Sequence, residues 1–275
     1  MAFLSAAMNS AARHITDTIH PFEIVFFRNL FGSLFVLPII IRYGFSILKT
    51  QRFSTHLGRA GLNVINHLFF FTALSLTTLS ELVALGFTAP IFTTMLAVIL
   101  LGEIVGWRRW GAIIFAFFGT LIILKPGIDN ITLGHGMTLM AALTWAGVLL
   151  FIKSLSDTER SITIVAYATF LMTPLSLIPA LFVWQWPTYN ELMWLAFIGL
   201  TAGCAQFFIA QALHETDLNV VMPFDFTKLI WVSVIAFLFF GEIPELTTWI
   251  GGAIIFSAGI YVAHREAAKN PKTGS

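Results

Sequence analysis

Residues 218–241 form a mostly apolar run of 24 residues that carries Asp225 and Lys228 near its middle. A hydrocarbon core about 30 Å thick is crossed by roughly 20 residues of helix. The run therefore reads as a membrane span with Lys228 close to the bilayer midplane. An ammonium there costs about 2.5 to 3.5 kcal/mol on insertion scales, so it faces an internal cavity or a partner. Asp225, three residues earlier, lies on the same helix face, and Pro223 lacks an N–H and disturbs the local ladder. Such a helix can hold a polar ligand. The alternative reading is a self-neutralised pair that only sets helix register, because burying an ion pair is often neutral in energy.

Ten such stretches follow one another, at about 1–13, 22–41, 60–78, 80–102, 107–124, 133–153, 162–184, 190–213, 218–241 and 246–263. Charged residues are only 11% of the chain and hydrophobic ones 57%, against about 25% charged in a soluble domain. The expectation is an all-α polytopic membrane protein of ten transmembrane helices. A net charge of +1 argues against a nucleic-acid partner, which demands a basic face. No Walker, Rossmann or zinc-finger pattern is present, so neither a cofactor nor a metal is expected. The single cysteine, Cys204, cannot form an intrachain disulfide and reads as packing.

Lysine and arginine placement in short loops sets orientation. With both termini cytoplasmic, Arg42, Lys49, Arg52, Arg59, Arg108, Arg109, Lys153, Arg160, Arg265, Lys269 and Lys272 fall inside, and Arg13 and Lys125 outside. Dropping one span would move about half of these to the other side.

The chain also repeats itself. Ala97-Val-Ile-Leu-Leu-Gly-Glu103, Trp110 and Gly119 return as Ala236-Phe-Leu-Phe-Phe-Gly-Glu242, Trp249 and Gly259, an offset of about 140 residues. Five spans per copy is an odd number, so the copies enter the membrane from opposite sides, as inverted repeats do in secondary transporters. Residues 1–126 form the first repeat, 127–266 the second and 267–275 a cytoplasmic tail. Ile24-Val25 matches Ile164-Val165, which makes the first helix about eight residues shorter than its counterpart, and a longer native first helix is expected.

The repeat also locates a site. Span four, the counterpart of span nine, carries Gly86 and Pro90. Interrupted helices in equivalent positions point to a binding site, because Pro90 frees the Gly86 carbonyl; an ordinary proline kink is the alternative. On span three, Asn63, Asn66 and His67 at i, i+3 and i+4 share one face, either lining a cavity or bonding helix to helix. Glu81, at the end of span four, reads as a solvated mouth residue or as the partner of Arg28, and Arg28 reads as a structural residue able to snorkel. Gln206, Gln211, Thr144 and Trp145 are lower-ranked cavity liners, and Glu103 and Glu242 read as interfacial.

Leu101-Gly-Glu103 and Phe240-Gly-Glu242, with Phe87-Thr-Ala-Pro90, His20-Pro-Phe-Glu-Ile-Val-Phe-Phe-Arg28 and Pro223-Phe-Asp-Phe-Thr-Lys228, resemble the EamA branch of the drug/metabolite transporter superfamily over nearly the whole chain. Through His20 to Arg28 the sequence is similar to members related to S-adenosylmethionine uptake and riboflavin transporters. The resemblance implies a bacterial inner-membrane permease of two inverted five-helix halves, with a cavity lined mainly by helices one, three, four, six, eight and nine. Relatives move amino acids, nucleotide-like metabolites, vitamins and drugs.

The resulting expectation is a permease, not an enzyme, that moves a small polar organic metabolite by alternating access. Lys228 would meet an anionic group, Asp225 would tune it or meet a cationic group, and His67, Asn63 and Asn66 would supply hydrogen bonds. Protons are a candidate coupling ion through Glu81, Asp225 or His67, and the assembly would be a monomer or homodimer in the lipid bilayer. Two rivals stand beside this. An intramembrane enzyme would use His67 with Glu81 or Asp225 and lacks a nucleophile beside His67. A channel would show a ring of like polar groups along a pore and has no need of the repeat.

Overall fold

The computed structural model describes residues 2–44, 48–101, 107–124, 131–156, 158–215 and 227–269. Among them every regular element is a helix: α1 (Ala2–Ile15), α2 (Pro21–Tyr43), α3 (Phe53–Leu76), α4 (Leu79–Gly86), α5 (Ala89–Leu101), α6 (Trp107–Leu124), α7 (Leu133–Ser156), α8 (Ser161–Leu181), α9 (Tyr189–Glu215), α10 (Thr227–Phe240) and α11 (Leu246–Lys269). Among the described residues, five segments are long and apolar enough to cross a membrane: Pro21–Arg42, Leu79–Leu100, Leu133–Ser156, Ser161–Leu181 and Tyr189–Ile209. Trp110–Ile123, Ile230–Phe240 and Leu246–Ala258 are shorter apolar helices. The chain is a helical, multi-pass membrane protein.

Local chemistry sets the helix ends. Pro21 opens α2, where its missing N–H costs nothing, and His20 Nδ1 accepts the Phe22 N–H at 3.3 Å. Gly44, at φ 78°, ends the helix with its N–H on the Ile40 carbonyl, a conformation glycine adopts without strain. At the start of α9 the Thr188 N–H donates to Glu191 Oε2 at 2.8 Å while Thr188 Oγ1 accepts the Glu191 N–H at 3.4 Å, a reciprocal capping box.

Three expected boundaries move. Span three begins at Phe53, not near residue 60, because the polar stretch through His56 and Arg59 is buried against other helices rather than left as a loop. Span four divides: α4 stops at Gly86 and α5 starts at Ala89. Pro90 excludes the carbonyl four residues back, which is that of Gly86, so the helix ends there and Pro90 sits in the first turn of the next. The final helix runs to Lys269, beyond the expected residue 263. Of the run 218–241, only α10 from Thr227 onward is among the described residues.

Packing is by pairs. α2 lies on α8, α6 on α11 and α4 on α10; α1 lies on α9 as α7 lies on α3; and α2 meets α9 as α8 meets α3. α6 and α11 cross at glycines: a Cβ built on Gly119 would stand 2.8 Å from the Gly251 carbonyl oxygen, and one on Gly251 2.5 Å from that of Gly119. Small residues let helix backbones approach this closely. Outward-facing Ile114, Phe115, Phe117 and Phe118 of α6 and Phe237, Leu238 and Phe239 of α10 are exposed, an apolar surface of the kind that hydrocarbon covers.

Candidate functional site

The interior polar groups converge on α3. Arg59, Asn63, Asn66 and His67 are all buried, which explains why a helix of 24 residues is too polar to count among the apolar spans. Three of the four bond to a neighbouring helix. The Arg59 guanidinium donates to the Ile164 carbonyl at 2.8 Å, and Asn63 Nδ2 donates to Met172 Sδ at 3.3 Å, both on α8. Asn66 Nδ2 donates to the Ala141 carbonyl at 2.6 Å and to Thr144 Oγ1 at 3.3 Å, on α7. Asn66 thus ties α3 to α7.

α2 adds a second buried group. Arg28 is 6% exposed and Asn29 2%. Arg28 donates to Asn29 Oδ1 at 3.2 Å, and Asn29 Nδ2 donates to Ser176 Oγ on α8 at 3.2 Å. Arg28 thus does not snorkel. α2 packs on both α3 and α8, and Asn29 and Asn63 bond to Ser176 and Met172, one turn apart on α8, so α2 and α3 present these groups to one region. On these two helices, buried atoms lack hydrogen-bond partners: Arg28 Nε, His67 Nδ1, Asn63 Oδ1 and Arg59 Nε. A buried polar atom left unpaired costs about 1 to 3 kcal/mol, and a polar ligand or water offsets that cost.

The other expected residues are scattered. Glu81 lies 3.8 Å from His135 Nε2 on α7 and does not pair with Arg28; its own N–H is capped by Thr78 Oγ1 at 3.3 Å. It is fixed at the N-terminus of α4, where a carboxylate also suits the helix dipole. Trp145 packs with Leu62 and Ile209 on the cluster of Val148, Leu149 and Ile152. Gln206 is half-buried on α9. Lys228 is half-buried and stands in the first turn of the described α10. Asp225, Pro223 and Glu103 lie outside the described residues, so the expected Asp225–Lys228 pairing does as well. Pro90 takes the second position of α5.

One network joins four helix ends. Glu242 Oε2 accepts the Leu79 N–H at the start of α4 at 3.1 Å, and Glu242 Oε1 lies 3.8 Å from Arg13 Nε. Arg13 Nη1 in turn donates to the Leu74 carbonyl near the end of α3 at 2.9 Å. Glu242 thus caps a helix 163 residues away. At the opposite end Arg52 donates to Ser154 Oγ at 2.8 Å and to Thr158 Oγ1 at 3.2 Å, tying the start of α3 to the end of α7. From sequence Arg28 reads only as a structural residue, and Asn29, Ser176 and the reach of Glu242 are not singled out. Depth was the available signal for Arg28, which stands seven residues inside a helix that starts at Pro21.

The family model described as the EamA-like transporter family matches residues 1–125 and 132–263. The chain is 28% identical over 262 residues to an S-adenosylmethionine uptake transporter of Rickettsia bellii (strain RML369-C), covering 95% of this chain and 90% of that one. It is 35% identical over 239 residues to a riboflavin transporter of Vibrio cholerae serotype O1, covering 86% and 80%. A pseudopaline exporter of Pseudomonas aeruginosa is 25% identical over 274 residues, covering 96% and 94%. A crystal structure of another protein matches with a TM-score of 0.69 at 16% identity, covering 96% of each chain, which is a likeness of fold.

Proposed function

The chain belongs to the EamA-like transporter family and is a permease for small metabolites rather than an enzyme, and from that premise we propose how it works. It moves a polar organic metabolite across a bacterial inner membrane by alternating access between two inverted five-helix halves, with both termini cytoplasmic. The observation that carries this is the exchange pattern of the packing. Replacing α1, α2, α3, α4 with α5, and α6 by α7, α8, α9, α10 and α11 maps the major contacts onto one another. The pair α1 with α9 becomes α7 with α3, α2 with α9 becomes α8 with α3, and α2 with α8 and α6 with α11 map onto themselves. Two interlocked copies rocking about a shared site use this geometry, and a pore would not need it.

The groups offered to substrate are Lys228 and Asp225 on the ninth span and Asn63 and His67 of α3, whose face Asn66 fixes against α7, with the helix break before Pro90. Names of relatives supply the first solutes to try, S-adenosylmethionine and riboflavin. The test is counterflow into vesicles reconstituted with the full chain. Preloaded unlabelled solute should drive saturable accumulation of the same labelled solute, and Lys228→Ala should slow it by about tenfold or more while leaving the protein folded, since a charged hydrogen bond is worth that much. Flux that never saturates would favour a channel, and chemical conversion of the solute would favour an enzyme. Unchanged counterflow in Lys228→Ala would remove Lys228 from the site and leave the permease standing.

A further inference from the structure

Arg28 is a guanidinium about 10 Å inside one end of the bundle, seven residues from the start of α2 at about 1.5 Å per residue. Entering from the same end, His67 lies nine residues from the C-terminus of α3, about 13 Å in by the same measure. The two groups are at similar depth on helices in contact, and their neighbours Asn29 and Asn63 bond to Ser176 and Met172, one turn apart on α8. Among the described residues no carboxylate pairs with Arg28; the ion pairs there are Arg13 with Glu242 and His135 with Glu81. Burying an arginine in this way is expensive, and such residues within membrane helices mark the path of a substrate.

Resting on the permease reading, we propose that Arg28, His67 and Asn63 form the subsite for the carboxylate end of a small organic acid or amino acid substrate. Arg28 is already oriented, because Asn29 Oδ1 holds one guanidinium nitrogen at 3.2 Å and Asn29 is itself tied to Ser176. The Nε edge is left without a partner. That planar edge matches two carboxylate oxygens, a bidentate geometry a lysine cannot offer. Asn63 Oδ1, buried and unpartnered while its Nδ2 is held by Met172, can only accept. It selects a substrate with a hydroxyl or ammonium donor beside the acid group. His67 Nδ1 supplies the third unpaired atom. A phosphate dianion would bring a second charge, and the other buried guanidinium, Arg59, is held by the Ile164 carbonyl; a monoanion leaves less charge uncompensated in the interior.

The experiment is a thermal-shift titration of the full chain in detergent with propionate, lactate, the common amino acids and S-adenosylmethionine, each acid beside its carboxamide, and with riboflavin as a solute lacking a carboxylate. Acids are expected to raise the melting temperature and their amides not to. Arg28→Lys should weaken the acids by about tenfold or more, and Arg28→Gln should erase the preference for acid over amide. Should the variants not fold, the wild-type chain answers alone: the best acid of the panel should slow modification of Arg28 by phenylglyoxal, read by mass spectrometry, and its amide should not. The subsite is overturned if no acid is preferred to its amide, or if Arg28→Gln keeps the preference, or if no acid protects Arg28. Counterflow of riboflavin without any acid response would sink the subsite and spare the permease. An acid response without counterflow of any solute would do the reverse.

Discussion

Gly251→Leu is expected to lower the melting temperature of the purified protein by about 6 to 12 °C, the equivalent of about 3 kcal/mol of overpacking in a chain of this size. A Cβ at Gly251 would stand 2.5 Å from the Gly119 carbonyl oxygen and 2.5 Å from Ile123 Cγ1, and one at Gly119 would stand 2.8 Å from the Gly251 oxygen and 2.8 Å from Ile255 Cγ1. Backbone on both sides cannot rotate away as a side chain can. The pair α6 with α11 would have to part, and dispersion along the seam would be lost with it. Gly111→Leu on the partner helix α6 is the control, since a Cβ there meets nothing within 4 Å, and its effect should stay within about 0.5 kcal/mol. Tryptophan fluorescence on heating reads both. Equal losses at Gly251 and Gly111 would show that helix propensity, not the close crossing, governs the result.

Glu242→Ala is expected to cost about 2 kcal/mol and Glu242→Gln less than about 1 kcal/mol. Alanine removes the acceptor of the Leu79 N–H, which reopens the N-terminus of an eight-residue helix, and losing a cap costs about 1 kcal/mol. It also leaves Arg13 without its carboxylate. Glutamine keeps an oxygen for the Leu79 N–H and loses only the 3.8 Å ion pair, whose side chains are 24% and 19% exposed and so are worth little through charge alone. Thermal unfolding of the two variants separates capping from charge. If glutamine proved as damaging as alanine, the ion pair and not the cap would be the stabilising element.

How far this architecture could be read in advance depends on which forces act locally. The apolar runs mark the helices because the hydrocarbon core demands length and apolarity from each span alone. The break before Pro90 was legible for the same reason: a proline acts on the carbonyl four residues back, and α4 stops at that residue, Gly86. The start of α3 was not legible. His56 and Arg59 look like loop residues until the Ile164 carbonyl on α8, 105 residues away, is in place to receive the guanidinium. Glu81 illustrates the same limit, because charge and depth fitted Arg28 equally well and only the packing of α7 on α4 supplies His135 instead. Of the site, the Asn63, Asn66 and His67 face was recognisable by helical spacing and is buried as a unit. The role of Asn66 as a tie to α7 depends on contacts that no spacing encodes.

The bond between Asn29 and Ser176 has a consequence for how the protein is made. The two residues are 147 apart in the chain, and synthesis at about 5 to 20 residues per second separates their appearance by roughly 7 to 30 s. Through that interval α2 is in or near the membrane with Arg28 and Asn29 lacking the surface of α8 that orders them. An isolated helix with an arginine two turns inside its end inserts at a cost, so α2 is a poor candidate for independent release into lipid. Its residence beside the insertion machinery should last until α8 arrives, and stalling the nascent chain before Ser176 should trap α2 there.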